Sequence, residues 1–457
     1  MSLIKSISGI RGTIGGEPAN NLTPLDVVKF AAAYGKWLKE KHNGKKIVIG
    51  RDARISGSIV NQLTINTLLS MGIDVVDAGL STTPTVEMAV VWEKADGGII
   101  ITASHNPKQW NALKLLNSKG EFISAEDGQY ILKAATGEQF SFETVDNLGK
   151  YSENNSFIQQ HIDTVVNYKW VNNEAISKRK FTVVVDTINS TGVLSVPPLL
   201  TALGVENTII INEAITGDFA HNPEPLPEHL IELSKAVVTH KADLGIAVDP
   251  DVDRLCFVNE DGTLFGEEYT LVAVADYLLG KKKGNTVSNL SSTRALKDIT
   301  IKHGGEYAAA SVGEVNVVKK MKETNALIGG EGNGGIIVPD LHYGRDALIG
   351  IGLFLSALAE SNLAISEYRK KFPGYFMAKK KINLKEGTDI KPLFEKVKEQ
   401  FHQYPINTED GLKIDLPEGW IHLRTSNTEP IIRIYTEAPS PAEADSLADK
   451  AISIIKK

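Results

Sequence analysis

Residues 244–254, LGIAVDPDVDR, run from an unbroken apolar stretch directly into a loop of alternating acids. A short apolar run bounded by polar residues reads as a strand buried on both faces of a parallel sheet, and the loop then falls at its carboxyl end, where open α/β sheets gather ligands. GGIIITASHNP at 97–107 and ALIGGEGNGG at 326–335 repeat this plan. Upstream of each lies an apolar strand, a polar turn, a helix-like segment and a second strand: KIVIGRDARISG from 46 to VVDAG, FTVVVDTINSTG from 181 to TIIIN, and NTVSNLSSTRAL from 285 to YAAASVGE. Three copies of one alternating unit predict three similar α/β domains with mainly parallel mixed sheets. After KKFPGY the character changes: WIHLRTSNTEPIIRIYTEA alternates as two strands around a turn, and PAEADSLADKAISIIKK reads as a helix. That predicts a smaller C-terminal α+β domain, with domains over 1–150, 151–255, 256–370 and 371–457.

A chain of 457 residues exceeds one ordinary domain, and its 42% hydrophobic and 23% charged residues are those of a folded globular protein. Net charge is −7, and the basic runs at 281–283 and 379–381 are short, which argues against nucleic acid as a partner. An anionic ligand must therefore be held by a local pocket. No apolar run approaches the roughly 18 residues of a membrane helix, and MSLIKSISGIRG lacks a signal-peptide core, so the expected location is cytoplasmic, away from membranes. The single cysteine, Cys256, sits in the apolar run LCFV and reads as buried strand packing.

Asp249, Asp251 and Asp253 alternate with Pro250 and Val252. Three carboxylates this close repel one another unless a hard divalent cation such as Mg2+ or Ca2+ neutralises them. An EF-hand would place Glu260 at its twelfth position, but its sixth is Arg254 instead of Gly and its flanks read as strands. The paired aspartates of aspartyl-nucleophile phosphatases also resemble Asp249 and Asp251, with a small or apolar residue usual where Asp253 stands. Ser104 lies just past GGIIIT, followed by His105, Asn106 and Pro107; on an extended chain His105 would point away from it, which disfavours a serine-protease pairing. Lys114 in NALKLL could act as a base if its surroundings lower its pKa. GGEGNGG has the GxGxxG spacing, yet Pro339 follows in IIVPD where a dinucleotide loop would open a helix. What is left is a close-approaching backbone carrying Glu331 and Asn333, groups suited to sugar hydroxyls. RTSNTEP collects Arg424, Ser426, Asn427 and Thr428, with Arg433 on the next strand, a set that can cradle phosphate.

Taken in order, SGIRG, TASHNP, DPDVDR, GEGNGG and RTSNTEP resemble the motifs of the α-D-phosphohexomutase superfamily across essentially the whole chain. The resemblance implies four domains around a central cleft, and Ser104 carried as a phosphoserine. It implies one Mg2+ per chain bound by Asp249, Asp251, Asp253 and a phosphoserine 104 oxygen. By the same carry-over Arg11, His105 and Arg254 line the active centre and Lys114 is a candidate base. Glu331 and Asn333 would read sugar hydroxyls, and Arg424, Ser426, Asn427, Thr428 and Arg433 would hold the phosphate that is not reacting. The implied protein is a monomer or homodimer acting on small-molecule sugar phosphates, with a hexose 1,6-bisphosphate as activator. Val252, Ala112 and Asn427 stand where the family usually has Gly, Asn333 where many members have Ser, and Gly335 where many have His. The Asn form is similar to phosphoglucosamine mutases and broad-specificity mutases, which favours glucosamine phosphate and leaves glucose and mannose phosphates open. A sugar-phosphate phosphatase and a non-catalytic sensor are the rival classes.

Overall fold

The computed structural model describes residues 2–6, 9–385, 388–425 and 431–456. These form two compact units, Met1–Thr270 with Gly334–Ser366, and Leu271–Asn333 with Glu367–Lys457.

The first unit contains two of the three repeats. In the first repeat the strand Lys46–Arg51 lies between Asp74–Leu80 and Gly97–Ile101 and is parallel to both. In the second, Thr182–Asp186 lies between Asn207–Ile211 and Leu244–Val248, again parallel to both. The first strand of a repeat is thus its centre, and the loop after the third strand leaves beside the reversal in strand order. Each third strand then turns back into an antiparallel neighbour, Trp110–Asn117 or Leu255–Asn259, which makes the sheets mixed. Both reversals carry a non-glycine residue in the left-handed region, Ser104 at φ +48° and Val252 at φ +62°. For a β-branched, fully buried valine that conformation costs roughly 1–2 kcal/mol.

Side-chain alternation along these strands feeds two cores. Ile47, Ile49, Ile99 and Ile101 pack with Phe30, Tyr34 and Leu38 of the helix Pro24–His42, whereas Val48 and Ile100 pack with Val86, Ala89 and Val90 of the helix Thr83–Trp92. The first of these helices starts at a capping box between Thr23 and Asp26, has Pro24 in its first turn, and stops at Asn43 in the left-handed conformation. The helix Ala347–Ser361 is apolar nearly all round and accordingly buried; its Phe354 stacks on Phe257 with ring centroids 3.8 Å apart. Cys256 is fully buried beside Val184, Val237 and Ala247, as its apolar setting predicts.

In the second unit Asn285–Asn289 lies between Tyr307–Ala310 and Ala326–Glu331, parallel to both, so the third repeat has the strand order of the other two. The C-terminal region is a five-stranded sheet, with antiparallel pairs from Phe376–Asn383 through Ile431–Ala438 and Gly419–Thr425 to Leu412–Leu416. The helices Lys391–Gln400 and Pro441–Lys456 cover it through Val397, Ala444, Ala448 and Ala451. Three α/β repeats and a smaller α+β domain match the expected fold class. Among the described residues no helix is long and apolar enough to cross a membrane.

Candidate active site

The Ser104 loop is held from beneath by Arg54, which is 1% exposed. Its Nη1 donates to the carbonyls of Pro107 at 2.8 Å and Trp110 at 2.9 Å, and its Nη2 to those of Ser104 at 2.5 Å and Asn106 at 2.6 Å. Nε pairs with Asp52 Oδ2 at 3.1 Å, the same oxygen that accepts Thr102 Oγ1 at 2.6 Å, and Phe219 stacks 5.1 Å from the guanidinium. One cation therefore fixes four carbonyls between Ser104 and the start of the strand Trp110–Asn117, and Thr102 Oγ1 accepts the Ser104 amide at 2.9 Å. The loop presents Ser104 Oγ, which donates to Asp249 Oδ2 at 2.7 Å. The left-handed turn also brings His105 Nδ1 to 3.4 Å from Oγ. The extended-chain expectation that His105 points away therefore fails, because the strand has already ended at Ile101.

The aspartate loop is gripped from three sides. Ser190 and Thr191 hydroxyls donate to the Pro250 carbonyl at 2.7 and 2.9 Å. Thr83 donates its amide to the Asp251 carbonyl at 2.8 Å and its hydroxyl to Asp251 Oδ2 at 2.6 Å. Ala347 N donates to the Val252 carbonyl at 3.2 Å. Lys114 Nζ lies 2.7 Å from Asp251 Oδ2 and 3.4 Å from Asp253 Oδ2, and Arg345 Nη2 lies 2.7 Å from the latter oxygen. Arg254 reaches Glu224 Oε1 at 3.1 Å and comes within 3.5 Å of His105 Nε2. Arg11 sits on the strand opposite Ala112, and its charge is felt at His105.

The electrostatics follow from that packing. Burial, reinforced by Asp253 and Asp251, pushes the Asp249 carboxyl well above the usual range. Burial would raise Asp253 as well, but Arg345, Lys114 and Arg254 outweigh it and hold the group low. Burial would lower the Lys114 ammonium, yet Asp251 and Asp253 win and raise it. His105 is pushed well down by burial and then by Arg254, so its imidazole is neutral. A hard divalent cation fits here: the three carboxylates offer oxygens within 4.8 Å of one another, and Asp251 Oδ1 and Asp253 Oδ1 are buried with no hydrogen-bond partner.

Behind the loop lies a buried polar cluster. Asp346 Oδ1 caps the helix Ala347–Ser361 through the Leu348 and Ile349 amides, while Oδ2 takes His161 Nε2 at 2.9 Å and His342 Nε2 at 3.3 Å. His342 Nδ1 lies 3.3 Å from Glu87 Oε2. Burial opposes the charge on His342, but the Asp346 and Glu87 carboxylates prevail and raise it to about 10. A folded value above the unfolded 6.5 means that folding takes up a proton. The resulting stabilisation is complete below pH 6.5 and is lost as pH rises toward about 10. Tm should fall across that window, and His342→Gln should flatten the fall; superimposable profiles for the two proteins would refute the ion pair.

In the second unit, Glu331 Oε1 accepts from Asn289 Nδ2 at 2.9 Å and from Gly313 N at 3.1 Å. Asn333 closes that unit's first segment. Arg424 and Arg433 face each other in register on neighbouring strands. Ser426, Asn427 and Thr428 lie outside the described residues. Sequence reasoning missed Arg54, Asp52, Thr83, Glu224 and Arg345; the acid and bases of RDAR at a strand end were the one available signal.

The chain matches the phosphoglucomutase/phosphomannomutase alpha/beta/alpha domains I, II and III over residues 3–142, 159–262 and 266–375, and the C-terminal domain of that family over 379–454. It is 36% identical over 454 residues to the phosphoglucomutase/phosphomannomutase of Thermococcus kodakarensis, covering 98% of this chain and 97% of the relative. It is 31% identical over 462 residues to the phosphoglucosamine/phosphogalactosamine mutase of Sulfurisphaera tokodaii, covering all of both. The crystal structure of a phosphoglucomutase/phosphomannomutase family protein from Burkholderia thailandensis superposes with a TM-score of 0.84 at 26% identity, over 99% of this chain and 98% of the other. A match in four consecutive domains, joined to end-to-end relatives, settles the family: the chain belongs to the phosphoglucomutase/phosphomannomutase family of the α-D-phosphohexomutase superfamily and is a phosphohexose mutase.

Proposed function

We propose that the chain interconverts hexose 1-phosphate and hexose 6-phosphate through a phosphorylated Ser104 and a hexose 1,6-bisphosphate, with glucosamine phosphate as preferred substrate. The observation that carries this reading is the buried Ser104 hydroxyl 2.7 Å from Asp249, at the edge of a three-carboxylate cluster with unsatisfied oxygens. In the first half-reaction the P–Oγ bond to Ser104 breaks as a sugar hydroxyl oxygen bonds to phosphorus, giving the bisphosphate. In the second half-reaction the other phosphoryl group of the bisphosphate returns to Ser104.

Such transfers need positioning and charge neutralisation more than covalent help. One Mg2+ held by Asp249, Asp251, Asp253 and the phosphoryl group on Ser104 would supply positive charge to the equatorial oxygens. Arg254 and Arg11 add fixed positive charge beside His105. The attacking hydroxyl must lose a proton. His105, with Nδ1 3.4 Å from Ser104 Oγ, and Lys114, 2.7 Å from Asp251, are the two candidates to take it. Glu331 and Asn333 serve the sugar hydroxyls in this reading. Arg424, Ser426, Asn427, Thr428 and Arg433 hold the distal phosphate.

The glucosamine preference is supported by Asn333 and by the phosphoglucosamine/phosphogalactosamine mutase among the relatives. The Thermococcus kodakarensis relative favours glucose or mannose phosphate as the second reading. Phosphorus NMR on the Mg2+-loaded enzyme, primed with bisphosphate, tests both readings with glucosamine, glucose, mannose and N-acetylglucosamine phosphates in parallel. Glucosamine phosphate should equilibrate fastest. Faster conversion of glucose or mannose phosphate would reject the preference, and stoichiometric release of inorganic phosphate would reject the mutase cycle.

A further inference from the structure

Within the second unit the strand end bearing Glu331 and the strand bearing Arg424 are joined by a closed circuit of hydrogen bonds to which Arg424 is attached by an ion pair. Asn289 Nδ2 donates to Glu331 Oε1, and Asn289 Oδ1 accepts from Ser291 N at 2.9 Å and from Ser292 Oγ at 3.1 Å. Ser291 Oγ lies 3.0 Å from His422 Nδ1, and His422 Nε2 lies 2.7 Å from the Asp410 carbonyl. The Asp410 carboxylate then does two things with one oxygen: Oδ2 accepts Val312 N at 2.8 Å and sits 2.9 Å from Arg424 Nε. The next amide along, Gly313 N, returns to Glu331 Oε1 at 3.1 Å. Every member is chemically consistent. A carbonyl only accepts, so His422 Nε2 carries the proton and Nδ1 takes the Ser291 hydroxyl, which requires a neutral ring. His422 is 1% exposed, and burial lowers its pKa to about 4.

Two further contacts brace the same junction. Lys413 Nζ donates to the Leu290 carbonyl at 2.5 Å while lying 4.4 Å from the Trp420 ring centre, and the Glu437 carboxylate accepts Arg294 N at 3.0 Å. The C-terminal sheet is thereby fixed against residues 289–294 and 312–313, the segments that also hold Glu331. An arginine bound only by its phosphate would keep several rotamers open and would have to order on binding, at a cost in affinity. Arg424 instead has its guanidinium held before any anion arrives, by an ion pair with the Asp410 carboxylate at 2.9 Å.

We propose that Asp410 and His422 are positioning residues that set the separation between the phosphate-binding guanidinium of Arg424 and the hydroxyl-reading carboxylate of Glu331, and so govern how tightly the enzyme holds a hexose phosphate of given size. The proposal rests on the roles given above to Arg424 and Glu331. It predicts an effect on binding in place of chemistry. Asp410→Asn in the full, Mg2+-loaded chain should raise KM for the hexose 6-phosphate about tenfold, the effect of losing one part-buried ion pair, with kcat within about threefold of the parent. Ser291→Ala, which touches neither Arg424 nor Glu331, should raise KM about threefold in the same direction, and Ser291→Thr should restore it.

A variant with lowered Tm and unchanged KM would reduce the circuit to a structural brace and overturn the proposal. Arg424→Ala separates this failure from a failure of the underlying reading. If Arg424→Ala raises KM and Asp410→Asn does not, the positioning idea falls alone. An unchanged KM in Arg424→Ala would remove the phosphate role on which both stand.

Discussion

Ser104→Ala is expected to reduce mutase turnover by roughly ten-thousand-fold or more, the scale seen when an enzyme loses its covalent nucleophile. The reasoning is local. Among the described residues Ser104 Oγ is the hydroxyl directed at Asp249, and the backbone around it is set by Arg54 and Thr102, neither of which depends on the serine side chain. Alanine at φ +48° meets the same backbone penalty as serine, so Tm should stay close to that of the parent. The substitution also removes the donor to Asp249, whose carboxyl burial already disfavours as an anion. Transfer of label from bisphosphate to the chain should disappear together with turnover. Near-normal interconversion by the variant would sink the phosphoserine cycle, whatever its effect on stability.

Arg54→Met should be the most damaging change outside the reacting groups. Arg54 and Asp52 are both fully buried as side chains, and breaking such a pair costs about 3–5 kcal/mol because one charge stays buried alone. Four loop carbonyls lose their donor at the same time. We expect a clear fall in Tm together with a marked loss of kcat, since the loop that presents Ser104 is no longer pinned. Pairing Arg54→Met with Asp52→Asn should restore part of the stability by removing the stranded carboxylate, while kcat stays low because the carbonyls remain unserved. Full recovery of kcat in the double variant would show that the arginine answers Asp52 and does not hold the loop.

What could be read from sequence was what is contiguous. Asp249, Asp251 and Asp253 fall within five residues, so their repulsion and their need for a cation follow without knowing the fold. The strand ends were legible because the same strand, turn and helix pattern recurs at 46, 181 and 285. The supports were not legible, since each pairs residues far apart in the chain: Thr83 with Asp251, Arg345 with Asp253, His161 with Asp346. Arg54 was hidden for a different reason. Apart from Asp52 two residues away, its partners are backbone carbonyls, which every residue has and no residue type advertises. The His105 geometry was misjudged because alternation holds only while a chain is extended, and a single left-handed residue reverses it.

Cys256, sealed in the core of the second sheet, is the one sulfhydryl of the chain, and burial pushes its pKa up. A maleimide or spin label should therefore ignore the native protein under folding conditions. An introduced surface cysteine becomes a unique handle without prior removal of any natural thiol. Placed at Lys396 or Lys119, both exposed, such handles would let probes report on each compact unit separately during turnover. The same sealed thiol doubles as an unfolding clock: its modification rate in rising denaturant measures how often the second sheet opens.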